Sequence, residues 1–426
     1  MRERLRNTSE SGRTIPAGRL LRLLDGIAAQ KLNLHGLLVA RGWNIELEAY
    51  WPPFGRGSIH RMYSISKSFT ATAIGLLVAE GKLKLTDHIV DFYPELVPKD
   101  AHPLIREMTI RDMLMMATGR SGIGYHPQSG DWLGPFFTVE PQTIPGTIFR
   151  YDTSASNVLA ALVERLGGQE FMGYLGDKLL GRLGFSEEAL MLRAPGGIPF
   201  GGSAVCCTLR DLARFAIFWN QGGKLDGEAI LPADYVAQAT SFQITEAEQA
   251  FANNQHLVGY GYQIWIMDEG FAFLGMGSQL AFCYPQRDLV ICTIADTQAQ
   301  SAAVPVLLQI LHECILNNDN KENSEAELER RIAGLRMPLL PGETTSPWMA
   351  KIDGRICRLV KPVSGIEAVR VDREGEGIRL SYLRDGKWLS LQAGLGCQLE
   401  APFPEAKYHG REIGVTSGVP YRCLFQ

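Results

Sequence analysis

A serine placed three residues ahead of a lysine is where side chains of this sequence could first do chemistry together. Ser64-Ile65-Ser66-Lys67 is the sole S-x-x-K in the chain. The segment from about Ser64 to Glu80 carries Phe69, Ala73, Ile74, Leu76, Leu77 and Val78, and Gly81 follows. It reads as a helix that is apolar all round and therefore buried at the centre of a domain. Residues at i and i+3 share a helix face, so the amine can reach the hydroxyl. A cation in the first turn is opposed by the positive end of the helix dipole, and burial removes the excuse of solvent. A lysine desolvated there loses basicity from roughly 10.4 toward neutrality, where a general base operates. So short a pattern is expected about once by chance in a chain of this length, so spacing alone leaves an ordinary helix start open.

Other chemistry-bearing residues carry less. No two histidines fall at metal-ligand spacing and H-E-x-x-H is absent, so no metal is expected. Gly259-Tyr260-Gly261 has no helix after it and is not a phosphate loop, so no cofactor is expected either. Tyr262 and Trp265 read as core or pocket lining. Asp152 reads as the cap of a helix over Ala155–Arg165.

The elements that must position Ser64 and Lys67 can be placed by periodicity. Pro16 to Gln30 predicts an amphipathic helix with Leu20, Leu23, Leu24 and Ile27 on one face. Leu37–Arg41 and Asn44–Tyr50 predict a hairpin around Gly42-Trp43. Helical signals run from Leu85 to about Asn254, with helices around Ile110–Ala117, Ala155–Arg165 and Asp211–Asn220. Strand patterns return at Gly259–Met267, Phe271–Leu274, Leu280–Tyr284 and Leu289–Ala295, before a helix with Leu307, Leu308, Leu311 and Ile315. Strands at both ends of a region with helices between them suggest one antiparallel sheet. Asn317 to Arg331 is polar and charged, and beyond it short β patterns dominate, with Asp385-Gly386 a strong hairpin turn. The expected domains are 1–316, a linker with a short helix over 317–346, and a small β-rich domain over 347–426.

Composition narrows the class. The 426 residues are 46% hydrophobic and 21% charged, enough for real cores, and Lys+Arg 42 against Asp+Glu 46 gives a net charge of -4. That balance argues against nucleic-acid and polybasic membrane binding. No apolar run approaches the ~20 residues that span a bilayer. The polar N-terminus and the scattered 8 cysteines point to a reduced, cytoplasmic chain.

Tyr63-Ser64-Ile65-Ser66-Lys67-Ser68-Phe69-Thr70 resembles the nucleophile segment of the serine β-lactamase and penicillin-binding-protein superfamily. It is most similar to the class C-like branch that includes esterases, aminohexanoate-oligomer hydrolases and D-amino-acid amidases and peptidases. Further landmarks follow in order: Gly81 to Asp87, Thr109 to Leu114 with Ala117-Thr118-Gly119, Pro145-Gly146 before Phe149 to Thr153, Gly201-Gly202, Thr208 to Ala213, and Gly259 to Tyr262. They cover about three-quarters of the chain, from His35 to Leu316. The resemblance implies an α/β (α+β) three-layer sandwich, an antiparallel sheet flanked by helices with an all-helical subdomain. The site lies at their junction, and a C-terminal β-rich domain follows.

The resemblance also implies site roles. Ser64 is the nucleophile, and Lys67 and Tyr151 handle its proton, with the phenol's pKa lowered by the neighbouring ammonium. Which of the two is the base stays open. Thr153 stands where the family's second motif has Asn, which removes an amide's donor and acceptor pair from the substrate site. The third motif, K-[ST]-G or H-x-G in the family, falls at Leu274 to Gln279. There Gly275, Met276 and Gly277 would meet substrate, and the Ser278 N–H would join that of Ser64 as an oxyanion hole. Arg120-Ser121-Gly122 copies the third motif out of order and is set aside. The expected function is a serine hydrolase acting through an acyl-enzyme on a small ester, amide or short peptide. A β-lactamase or D-aminopeptidase is the first alternative. A non-catalytic ligand-sensing or interaction protein is the second. Loops such as Gly124–Phe137 would set the substrate, and oligomeric state stays open.

Overall fold

The computed structural model describes residues 4–7, 12–120, 130–194, 196–245, 256–300, 302–317, 325–339, 342–363, 365–375, 377–405 and 422–425. These fall into two compact units, Met1–Leu335 and Arg336–Gln426.

The first unit is built on a mostly antiparallel sheet with helices packed on it, the expected fold class. Helix α1 (Ala17–Ala29) buries Leu20, Leu23, Leu24 and Ile27, the predicted stripe. Strands β1 (Leu34–Arg41) and β2 (Asn44–Tyr50) form the predicted hairpin, and β1 is buried along nearly its whole length. The chain then enters the core as a 3-10 turn, Tyr63–Ile65, running into α2 (Ser66–Ala79). The apolar run therefore begins its α-helix two residues later than the sequence suggests, and Ser64 sits in the tighter turn ahead of it. Every residue of α2 from Ser66 to Leu77 is buried.

Helix α3 (Thr153–Gly167) packs against α2. Helix α4 (Leu209–Asn220) begins at a capping box, Thr208 with Asp211, and packs on the sheet. The remaining strands are β3 (Leu257–Tyr260), β4 (Trp265–Met267), β5 (Phe271–Gly275), β6 (Gln279–Tyr284) and β7 (Leu289–Ala295). The order across the sheet is β2-β1-β7-β6-β5-β4-β3, with Arg6–Asn7 added in parallel beside β2. The single strand expected over Gly259–Met267 is two, because Gly261 to Ile264 reverse the chain and Trp265 pairs back with Tyr260. Gly261 permits this, since a Cβ there would sit 2.1 Å from the Ala239 carbonyl oxygen.

Helix α5 (Ala303–Leu311) continues as a π-helical turn, His312–Leu316, and packs with α1. Helix α6 (Glu325–Ala333) also packs on α1, with Leu328 buried and Arg331 bonded to Asp25 at 2.9 Å. The first unit thus ends at Leu335 rather than at Leu316. The second unit holds a four-stranded antiparallel sheet of β8 (Ile356–Val363), β9 (Ile366–Glu374), β10 (Gly377–Arg384) and β11 (Lys387–Gly394), and Leu399–Pro402 pairs with Arg422–Phe425 in a separate two-stranded sheet. Its Asp385-Gly386 turn has both φ angles positive, 50° and 72°, as a two-residue hairpin requires. No helix among the described residues is long and apolar enough to cross a membrane.

Candidate active site

Ser64 is delivered by an unusual backbone step. Tyr63 just before it has φ 47°, a left-handed conformation that costs a side-chain-bearing residue about 1–3 kcal/mol. The Ser64 side chain remains partly exposed while Lys67, one turn on, is 1% exposed. Lys67 Nζ lies 3.2 Å from Ser64 Oγ and donates to the Gly202 carbonyl oxygen at 2.6 Å. Burial pushes this amine down to about 7; nearby Asp152 opposes the shift and Arg61 adds to it. A substantial fraction of Lys67 is therefore neutral near pH 7, with its lone pair able to accept a proton.

Tyr151 closes the third side. Its hydroxyl hydrogen-bonds Ser64, and its ring lies under Lys67 with Nζ 4.7 Å from the centroid. Trp265 stacks on it with ring centroids 6.0 Å apart, and Tyr260 and Phe149 complete an aromatic wall. Burial drives the phenol well above its ordinary range, and the Ser64 bond offsets only part of this. The expectation that the ammonium lowers the Tyr151 pKa is corrected: burial raises it, the Ser64 hydrogen bond is what opposes the rise, and Tyr151 stays protonated.

Asp152 caps α3, accepting from the backbone N–H groups of Ser154 and Ala155, and takes a hydrogen bond from Thr118. Thr153 opens the helix beside it. The partner of Lys67 is the Gly202 carbonyl and not the Thr153 hydroxyl. Gly202 is held by Asn157, whose Oδ1 accepts its N–H at 2.9 Å. Neither role was visible as chemistry in the sequence, because a backbone carbonyl has no side-chain signature. Gly201-Gly202 was the available signal. A Cβ on Gly202 would fall 2.8 Å from the Thr153 carbonyl oxygen, so only glycine brings this strand of chain close enough.

The segment expected as the third motif lies beside the nucleophile. Strand β5 packs on the Tyr63–Ile65 turn, and a Cβ on Gly275 would sit 2.3 Å from the Met62 carbonyl oxygen. Met276 is 54% exposed, Gly277 and Ser278 have φ of 75° and 64°, and the Ser278 hydroxyl pairs with Thr297. The stretch contains no cationic side chain. Arg61 is a cation whose charge acts on Lys67. Its guanidinium stacks over Tyr63 and donates to the Ser203 carbonyl at 2.7 Å. In the segment set aside, Arg120 is buried and donates to Val139. Ser121 and Gly122 lie outside the described residues, as does 124–129 of the loop expected to set the substrate.

A family model described as Beta-lactamase matches residues 35–305. The 6-aminohexanoate-dimer hydrolase of Paenarthrobacter ureafaciens is 26% identical over 280 residues, covering 61% of this chain and 71% of that protein. Among solved structures, EstCE1, a hydrolase with promiscuous acyltransferase activity, superposes with a TM-score of 0.56 at 16% identity, covering 70% of this chain and 99% of that one. The octameric penicillin-binding protein homologue from Pyrococcus abyssi covers 96% of this chain and 95% of its own, at TM-score 0.53 and 16% identity. Likeness at that identity concerns the fold.

Proposed function

The chain belongs to the beta-lactamase family, and from that premise we propose that it is a serine hydrolase acting through an acyl-enzyme on small neutral esters or amides. The observation that carries this reading is the buried Lys67 amine 3.2 Å from a partly exposed Ser64 hydroxyl. Neutral Lys67 takes the Ser64 proton as Oγ attacks the carbonyl carbon. The backbone N–H groups of Ser64 and Ser278 hold the resulting oxyanion. Tyr151, kept as a protonated phenol, donates to the leaving alcohol or amine and regains a proton from the Lys67 ammonium. Water then attacks the acyl-enzyme, releasing the acid and restoring Ser64. The absence of a cation on Leu274 to Gln279 favours neutral substrates over those with a carboxylate beside the scissile bond. The relationship to a protein named for hydrolysis of the 6-aminohexanoate dimer is in keeping with an amide substrate.

The test is intact-mass analysis after exposure to a fluorophosphonate, with p-nitrophenyl ester turnover measured alongside. One adduct on the parent chain, none on Ser64→Ala, and loss of turnover in that variant are expected. A folded Ser64→Ala chain with undiminished turnover overturns the assignment.

A further inference from the structure

Away from the catalytic residues, the fold gathers three ligand-type side chains that the sequence holds far apart. His256 stands just before β3, Asp268 just after β4, and His312 at the start of the π-helical turn that follows α5. One ligand atom from each lies within 4.8 Å of the other two. His256 Nδ1 and Asp268 Oδ2 are 2.8 Å apart, and the two imidazoles stack with centroids 4.1 Å apart. We propose that His256, Asp268 and His312 form a surface zinc site that ties the β3–β4 hairpin to the helix after β7.

The donor set suits that ion. Two imidazole nitrogens and one carboxylate oxygen, with water in a fourth position, are ordinary zinc ligands. Zinc bonds of ~2.0–2.1 Å in a tetrahedron place ligand atoms about 3.3 Å apart. The 2.8 Å His256–Asp268 contact must therefore open slightly to admit the ion, and all three side chains are half-buried or exposed. The charge balance also allows a cation. Asp268 is negative, and the nearby Arg287 is matched by Glu269 through bonds at 2.5 and 3.1 Å. The π-helical turn supplies the placement, an irregularity often found at functional sites.

The experiment uses the full chain, stripped with EDTA and titrated with zinc chloride by calorimetry near neutral pH. The comparison chains are the double variant His256→Gln/His312→Gln and the single variant Asp268→Asn. One zinc per parent chain is expected, with affinity reduced at least ~10-fold in Asp268→Asn and lost in the double variant. Zinc should raise the Tm of the parent and leave that of the double variant unmoved, since only a ligand that binds the native state stabilises it. Unchanged ester turnover in the metal-free double variant shows that it is folded. No binding by the parent, or equal binding and equal Tm shifts in the double variant, overturns the site.

Discussion

At the scale of single residues, the two partners of Ser64 are separated by what burial does to each. It makes Lys67 a base near neutrality and keeps Tyr151 an acid. Proton transfer from Ser64 requires neutral Lys67, so kcat/KM should rise with pH through an apparent pKa of about 7. Lys67→Ala should lower kcat by ~100-fold or more and remove that limb, and Tyr151→Phe should cost a similar factor. A Tyr151→Phe enzyme with near-full activity would place the leaving-group proton on Lys67 alone. The same burial has a stability consequence. The folded amine titrates near 7 and the unfolded one near 10.4, so the unfolded chain binds more protons between those values. The lysine's contribution to stability therefore rises with pH across that window, and the gain in Tm given by Lys67→Met should shrink from pH 7 to pH 10. Substrate preference also belongs here. A charge-assisted hydrogen bond is worth about 1.5–3 kcal/mol, so lacking a third-motif cation should cost carboxylate substrates roughly ten- to a hundredfold. Short neutral esters should then show higher kcat/KM than benzylpenicillin on the same preparation. The reverse order would point to Arg61 being drawn from Ser203 onto the substrate.

At the scale of elements, the site depends on a glycine pair threaded between two helices. A Cβ on Gly201 would meet Ala160 Cβ at 2.3 Å and the Ser156 carbonyl oxygen at 2.8 Å. Neither α2 nor α3 can yield, because Ser66 to Leu77 and Ser154 to Val163 are buried. Gly201→Ala should destabilise by about 1–3 kcal/mol, the usual effect of overpacking, read as a lower denaturation midpoint. Asn157→Ala should act differently. It releases the Gly202 N–H and lets the carbonyl that orients Lys67 drift. A fall in kcat with KM little changed is expected, and a change confined to Tm would make Asn157 structural only.

At the scale of the whole molecule, the first unit carries all the candidate catalytic residues and includes α6, which packs on α1 with Leu328 fully buried. A fragment of residues 1–335 should fold, by far-UV circular dichroism, and keep ester turnover within about threefold of the full chain. A folded fragment with turnover lost would mean that the second unit takes part in catalysis.

Local chemistry made much of this legible in the sequence. The apolar run behind Ser64 announced a buried helix, the i, i+3 spacing put Lys67 beside the serine, and alternation marked β2 and the β10–β11 hairpin. The helix expected around Asp211–Asn220 is α4, which starts two residues earlier behind the Thr208–Asp211 capping box. Such features depend on neighbours within a few residues, where periodicity and turn geometry act. The carbonyl of Gly202, the clasp of Asn157, the two-strand reversal at Gly261 and the meeting of His256, Asp268 and His312 could not be read that way. Each joins residues distant in sequence or uses a backbone atom that every residue possesses. The sign of the Tyr151 shift was also beyond the sequence. It depends on how much water packing removes from one hydroxyl, a property of the assembled core and of no single residue in it.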